Sequence, residues 1–171
     1  MSKDTEMDTK NLLNKIIPPA DYQHRNGFSN TQFIDKLSDQ EKNEVEDSLI
    51  TLLKEGTNDT LIAETLSYLK STKSLPLLYK FLEQCSDAMA KIIVATSIFE
   101  INNDINMIDA AIVSFEELDN NKDAYYIYKV ISAFYYLVKF RNSQINIIIE
   151  NYTHHEEYLV SYNAKQALGN H

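Results

Sequence analysis

Four short segments of this chain repeat one another at a nearly fixed distance. Ile62-Ala63-Glu64-Thr65-Leu66 aligns with Val94-Ala95-Thr96-Ser97-Ile98, with Val130-Ile131-Ser132-Ala133-Phe134, and with Ala164-Lys165-Gln166-Ala167-Leu168. The anchors Leu66, Ile98, Phe134 and Leu168 lie 32, 36 and 34 residues apart. Four residues before each anchor stands an apolar residue (Ile62, Val94, Val130, Ala164), and one before it a small one (Thr65, Ser97, Ala133, Ala167). Three residues after it, three units carry Leu69, Ile101 and Leu137. Such columns form one buried helical stripe whose small members let neighbouring axes approach closely. A repeat of this length built from two helices cannot bury its apolar face alone, so each unit has to stack on the next.

Helix boundaries support that period. Ser38-Asp39-Gln40-Glu41 has the form of a capping box, and Val45, Leu49, Leu52 and Leu53 follow at helical spacing up to Gly56, a residue suited to stop the helix. Beyond it, polar breaks at Thr57–Asp59, Ser71–Ser74, Ser86-Asp87, Asn102–Asp104, Asp119–Asp123, Arg141–Ser143 and Thr153–Glu156 separate the apolar stretches. Breaks of two to five residues join antiparallel neighbours, so successive helices pair as hairpins. Residues 1–37 differ. Leu12, Leu13, Ile16 and Ile17 suggest a short amphipathic helix that Pro18-Pro19 ends, and Asp21–Asn30 reads as loop. The expected organisation is an N-terminal arm or cap over 1–37 and an all-α domain over 38–171.

Composition closes off the alternatives. Three Gly and three Pro in 171 residues are too few for the turns of a β-sandwich or barrel. The single cysteine, Cys85, precludes an intrachain disulfide and points to a reducing, cytoplasmic location. Met1–Asp8 carries acids where an export signal needs a basic start and an apolar run. Apolar runs such as Ala110–Phe115 and Ile147–Ile149 are far shorter than the roughly 18 residues that span a bilayer. The net charge of −9 resides in residues 38–171, which hold eleven basic and twenty acidic side chains. That field repels phosphate backbones, which argues against nucleic acid, and favours encounter with a basic protein.

The quoted segments resemble the second helices of the HEAT repeat family, including its bacterial HEAT-like members. In that family an aspartate and a basic residue often precede the small-residue and leucine pattern. Asp87 and Lys91 precede Val94–Ile98 in this way, and Asp123 precedes the next unit, where Ile127 stands at the basic position. Leu75-Pro76-Leu77-Leu78 is similar to the family's leucine-proline-leucine start of a first helix. The resemblance covers residues 38–171. It implies a right-handed α-α superhelix of about four HEAT-like hairpins, with the second helices lining a concave face.

On that implication the groove columns lie at five before, two before and two after each anchor. They hold Leu61, Glu64 and Tyr68, then Ile93, Thr96 and Glu100, then Lys129, Ser132 and Tyr136. Glu64, Tyr68, Thr96, Glu100, Lys129, Ser132 and Tyr136 are therefore the expected partner-binding residues. Tyrosine suits protein recognition because it offers a large contact area with one polar handle.

A catalytic reading finds little to work with. Gly27, Gly56 and Gly169 stand apart, so there is no phosphate-cradling loop. His154-His155-Glu156-Glu157 is the one metal-like cluster, yet adjacent histidines diverge where an i, i+4 pair would converge. His24 and His171 are isolated, and Cys85 has no histidine nearby in sequence. No cofactor, metal or catalytic residue is expected. The favoured function is a non-catalytic binding module, and the resemblance extends to small acidic HEAT-like inhibitors of basic toxins, of the immunity or antitoxin type. An assembly scaffold and a lyase-like ligand-handling protein are the alternatives, whereas the DNA-glycosylase members of the family need a basic groove that this chain lacks.

Overall fold

The computed structural model describes residues 3–169, with side chains from residue 10 onward. Among the described residues every regular element is helical: α1 (Lys3–Ile16), α2 (Tyr22–Arg25), α3 (Thr31–Ile34), α4 (Asp39–Lys54), α5 (Thr60–Tyr68), α6 (Leu75–Gln84), α7 (Ala88–Asn102), α8 (Asn106–Asn120), α9 (Tyr126–Leu137), α10 (Ser143–Glu150) and α11 (Tyr158–Gly169), with 3-10 turns at Thr72–Ser74 and Val138–Phe140. Among them no helix is long and apolar enough to cross a membrane. The described chain falls into two compact units, one up to Phe81 and one from Leu82.

Side chains at the breaks set the helix ends. Ser38 and Glu41 form the reciprocal capping box, with the Ser38 N–H donating to Glu41 at 2.8 Å and the Glu41 N–H donating to Ser38 at 3.3 Å. Asp59, Asp87 and Asn142 accept backbone N–H groups at the starts of α5, α7 and α10. Gly56 takes φ +87° just past α4, a left-handed turn that glycine adopts without strain.

In the first unit α1 packs on α3 and α4, and α4 packs on α5. Ile16, Val45, Leu49, Ile62 and Leu66 are almost wholly buried there. The residues before Ser38 are tied in by two polar side chains. Buried Asn30 donates to the Ile16 carbonyl at 3.1 Å and to the Thr65 hydroxyl at 2.7 Å. Arg25 grips Asp59, the cap of α5, through both terminal nitrogens at 2.7 and 3.2 Å, and donates to the Pro18 carbonyl. The expected loop over Asp21–Asn30 is corrected in part, because Asp21 accepts the His24 N–H and starts the one-turn α2. Helix α1 also begins well before Asn11, in a polar stretch with no apolar period to betray it.

In the second unit α7 and α8 form a hairpin, α9 touches α7, α8 and α11, and α10 pairs with α11. The repeat columns behave as interior positions. Leu66, Ile98 and Phe134 are fully buried, as are all four residues at −4 and −1 apart from traces of exposure. Leu168 is only half-buried. The hydroxyls at −1 close on their own helices, Thr65 donating to the Leu61 carbonyl at 2.7 Å and Ser97 to Ile93 at 2.9 Å. That is how small polar residues occupy core columns without leaving a donor unpaired.

Candidate functional site

The expected groove residues divide between the two units. In the first, Glu64 is half-buried, and exposed Tyr68 donates its hydroxyl to Asp35 at 2.6 Å beside a recess of ≈ 280 Å³ lined by Ile34, Asp35, Lys42, Tyr68 and Leu69. In the second, Lys139 gathers two of them, its ammonium lying 3.3 Å from Glu100 and 5.4 Å from the centre of the Tyr136 ring. Lys129 turns to Asp123 at 2.5 Å, and Ser132 is exposed.

Thr96 is a correction. It is almost wholly buried and spends its hydroxyl on the Ile92 carbonyl at 2.8 Å, so it presents nothing to a partner. The cause is that the middle of α7 is enclosed: Ile92, Val94, Ala95, Ser97 and Ile98 around Thr96 are all buried.

Sequence columns missed the most exposed aromatic face. On α9 and the residue before it, Tyr125, Tyr128, Ser132 and Tyr135 recur at helical spacing, and Tyr125 and Tyr128 are each 68% exposed. Tyr135 is hydrogen-bonded to Asn163 of α11 at 2.8 Å, where Tyr158 stacks on Tyr162 with ring centres 5.8 Å apart. Tyr158 is 69% exposed. The signal was present in Tyr125-Tyr126-Ile127-Tyr128 and Phe134-Tyr135-Tyr136. Placing the groove at +2 rather than +1 from the anchor assigned Tyr136 in place of Tyr135.

A second polar constellation lies on α8 and in the turn that follows α10. Asp119 accepts a hydrogen bond from the Tyr126 hydroxyl, and the Tyr152 phenol lies within its electrostatic reach. Tyr152 meets Phe115 edge-on at 5.6 Å, lies 5.2 Å from Phe134 and stacks on His155 at 6.1 Å. A recess of ≈ 270 Å³ opens here, lined by Phe115, Glu116, Asp119, Ile148, Asn151, Tyr152 and His155. His155 belongs to the His154–Glu157 segment, whose other three residues are exposed. It is itself half-buried, with Nδ1 accepting the Glu157 N–H at 3.0 Å.

Burial, then the interaction with Asp119, raises both phenols well above the ordinary value of 10.0. A phenol whose folded pKa is raised stabilises the fold fully below its unfolded value, and that contribution fades as pH rises toward the folded value. Thermal stability is therefore expected to hold from neutrality to about pH 10 and then fall. Tyr126→Phe with Tyr152→Phe should flatten the alkaline fall, as followed by melting temperature against pH.

Nothing in these clusters pairs a nucleophile with a base. Burial pushes the Cys85 thiol up, opposite to the shift that activates a thiolate. Among the described residues no three His, Cys, Asp or Glu side chains are grouped to hold a metal ion. His171 lies outside the described residues. No family model, curated protein or solved structure matches the chain.

Proposed function

We propose that this chain is a non-catalytic protein-binding module whose tyrosine-rich, acidic surface docks a basic protein in the cytoplasm. The observation that carries the proposal is the exposed face of α9 and α11. Tyr125, Tyr128, Tyr135, Tyr158 and Tyr162 lie open to solvent on two packed helices. Large aromatic side chains left in water are what interface centres are made of, because each removes much apolar area on docking at little entropic cost. The net charge of the unit selects the partner: residues 82–171 hold twelve acidic against six basic side chains. The finer reading of the fold, HEAT-like hairpins winding as a right-handed superhelix with residues 1–37 as its cap, belongs to the same proposal. It draws support from the 32-to-36-residue period and the interior columns. An inhibitor of the immunity or antitoxin type is the version favoured here, since a chain of strong net negative charge suits one complementary basic partner.

The test is affinity capture from lysate of the source organism with the native chain and with a Tyr128→Ala, Tyr135→Ala double variant. A single stoichiometric basic protein, recovered at least about tenfold less well by the variant, is the expected result, since two aromatic anchors commonly supply more than 1.4 kcal/mol. A mixed set of weak partners would favour an assembly scaffold instead. Undiminished recovery by a folded variant would remove α9 from the interface.

A further inference from the structure

We infer that the recess formed by α8, the end of α10 and the turn after it is a socket for an arginine side chain of the docked protein. This rests on the binding reading above and gives it a specificity element. The recess has ≈ 270 Å³ of space and two kinds of wall. One is flat and unsaturated: Tyr152 and His155 lie nearly parallel, 14° apart, and the Phe115 ring stands edge-on to Tyr152. The other is anionic, supplied by Asp119 and Glu116 three residues apart on one face of α8.

The two carboxylates differ in what they have left to offer. Asp119 is oriented by the Tyr126 hydroxyl, yet a carboxylate has about four acceptor positions and keeps room for more. Both phenols hold their protons at neutral pH and so remain donors. Glu116 is exposed and makes no hydrogen bond or ion pair with any described residue. Lys122, which lies 5.2 Å from the centre of the Tyr126 ring, does not line the recess. A fixed acceptor, a free acceptor and an aromatic wall around an open space match a cation that is planar, multiply donating and weakly hydrated. Guanidinium has those properties, whereas an ammonium is compact and strongly hydrated.

The experiment titrates the full chain with N-acetyl-arginine amide at low salt, following backbone and side-chain amide shifts. The neutral isostere N-acetyl-citrulline amide and the lysine analogue serve as comparisons. Arginine is expected to move resonances of Glu116, Asp119, Asn151, Tyr152 and His155 together, citrulline to leave them in place, and lysine to bind more weakly. Glu116→Gln, an exposed change that spares the fold, is expected to weaken arginine binding about two- to fivefold. Shifts scattered over the acidic surface, or equal for arginine and citrulline, would overturn the socket. Localised arginine shifts in a protein that captures no partner would uphold the socket and count against the binding reading alone.

Discussion

Phe134→Ala is expected to lower the unfolding free energy by about 3–5 kcal/mol, the usual loss when a fully enclosed aromatic ring becomes a methyl group. Phe134 has no solvent exposure, and its ring lies 6.1 Å from Phe115 and 5.2 Å from Tyr152. Its helix touches α7, α8 and α11, so no single neighbour can collapse into the space. Domains of this size hold roughly 5–15 kcal/mol in total, so the variant should sit near the edge of stability. The equivalent change at Leu168 should be milder, roughly half as large, because that anchor is already half-exposed. Urea unfolding of the two variants beside the native chain checks the ranking. Equal losses would mean that the repeat columns do not report burial as described. Tyr152 also loses a wall in Phe134→Ala, so the Asp119 recess should loosen with the core.

Asn30→Ala is expected to cost about 1–3 kcal/mol, by a different route. Asn30 is 5% exposed and bridges the Ile16 carbonyl at the end of α1 to the Thr65 hydroxyl on α5. Its side chain does not cap α3, so the loss is that of the bridge. Thr65 still has the Leu61 carbonyl to donate to, but the Ile16 carbonyl is left without this donor. Hydrogen exchange should accelerate in α1 and α3 ahead of α4 and α5. As a contrast, Lys73→Ala removes an ion pair to Glu46 from a lysine that is 60% exposed, and less than about 1 kcal/mol should follow. If Asn30→Ala were as harmless as Lys73→Ala, the bridge would not be what fixes the N-terminal residues.

Much of the helical pattern was legible because it rests on local rules. The capping box at Ser38, the stop at Gly56 and the caps Asp59 and Asp87 act over three or four residues, and sequence displays them directly. Interior columns were legible because burial at helical spacing repeats. What failed needed knowledge of a neighbour. Thr96 looks like a groove position until the middle of α7 is seen to be enclosed, although the unbroken Ile92-Ile93-Val94-Ala95 run already lacks a polar residue. Lys139 meets Glu100 across 39 positions of chain, and Asp119 joins tyrosines from two other segments. No local pattern encodes such meetings. The polar first turns of α1 have no apolar stripe, so their helicity had no signature to read.

The proposal that an acidic, tyrosine-bearing surface holds a basic protein is tested most directly by the salt dependence of binding to the recovered partner. Association and dissociation rates would be measured separately from about 0.05 to about 0.5 M NaCl. Charge steering predicts an association rate that falls about tenfold or more across that range, with dissociation changing far less. An association rate indifferent to salt would contradict it.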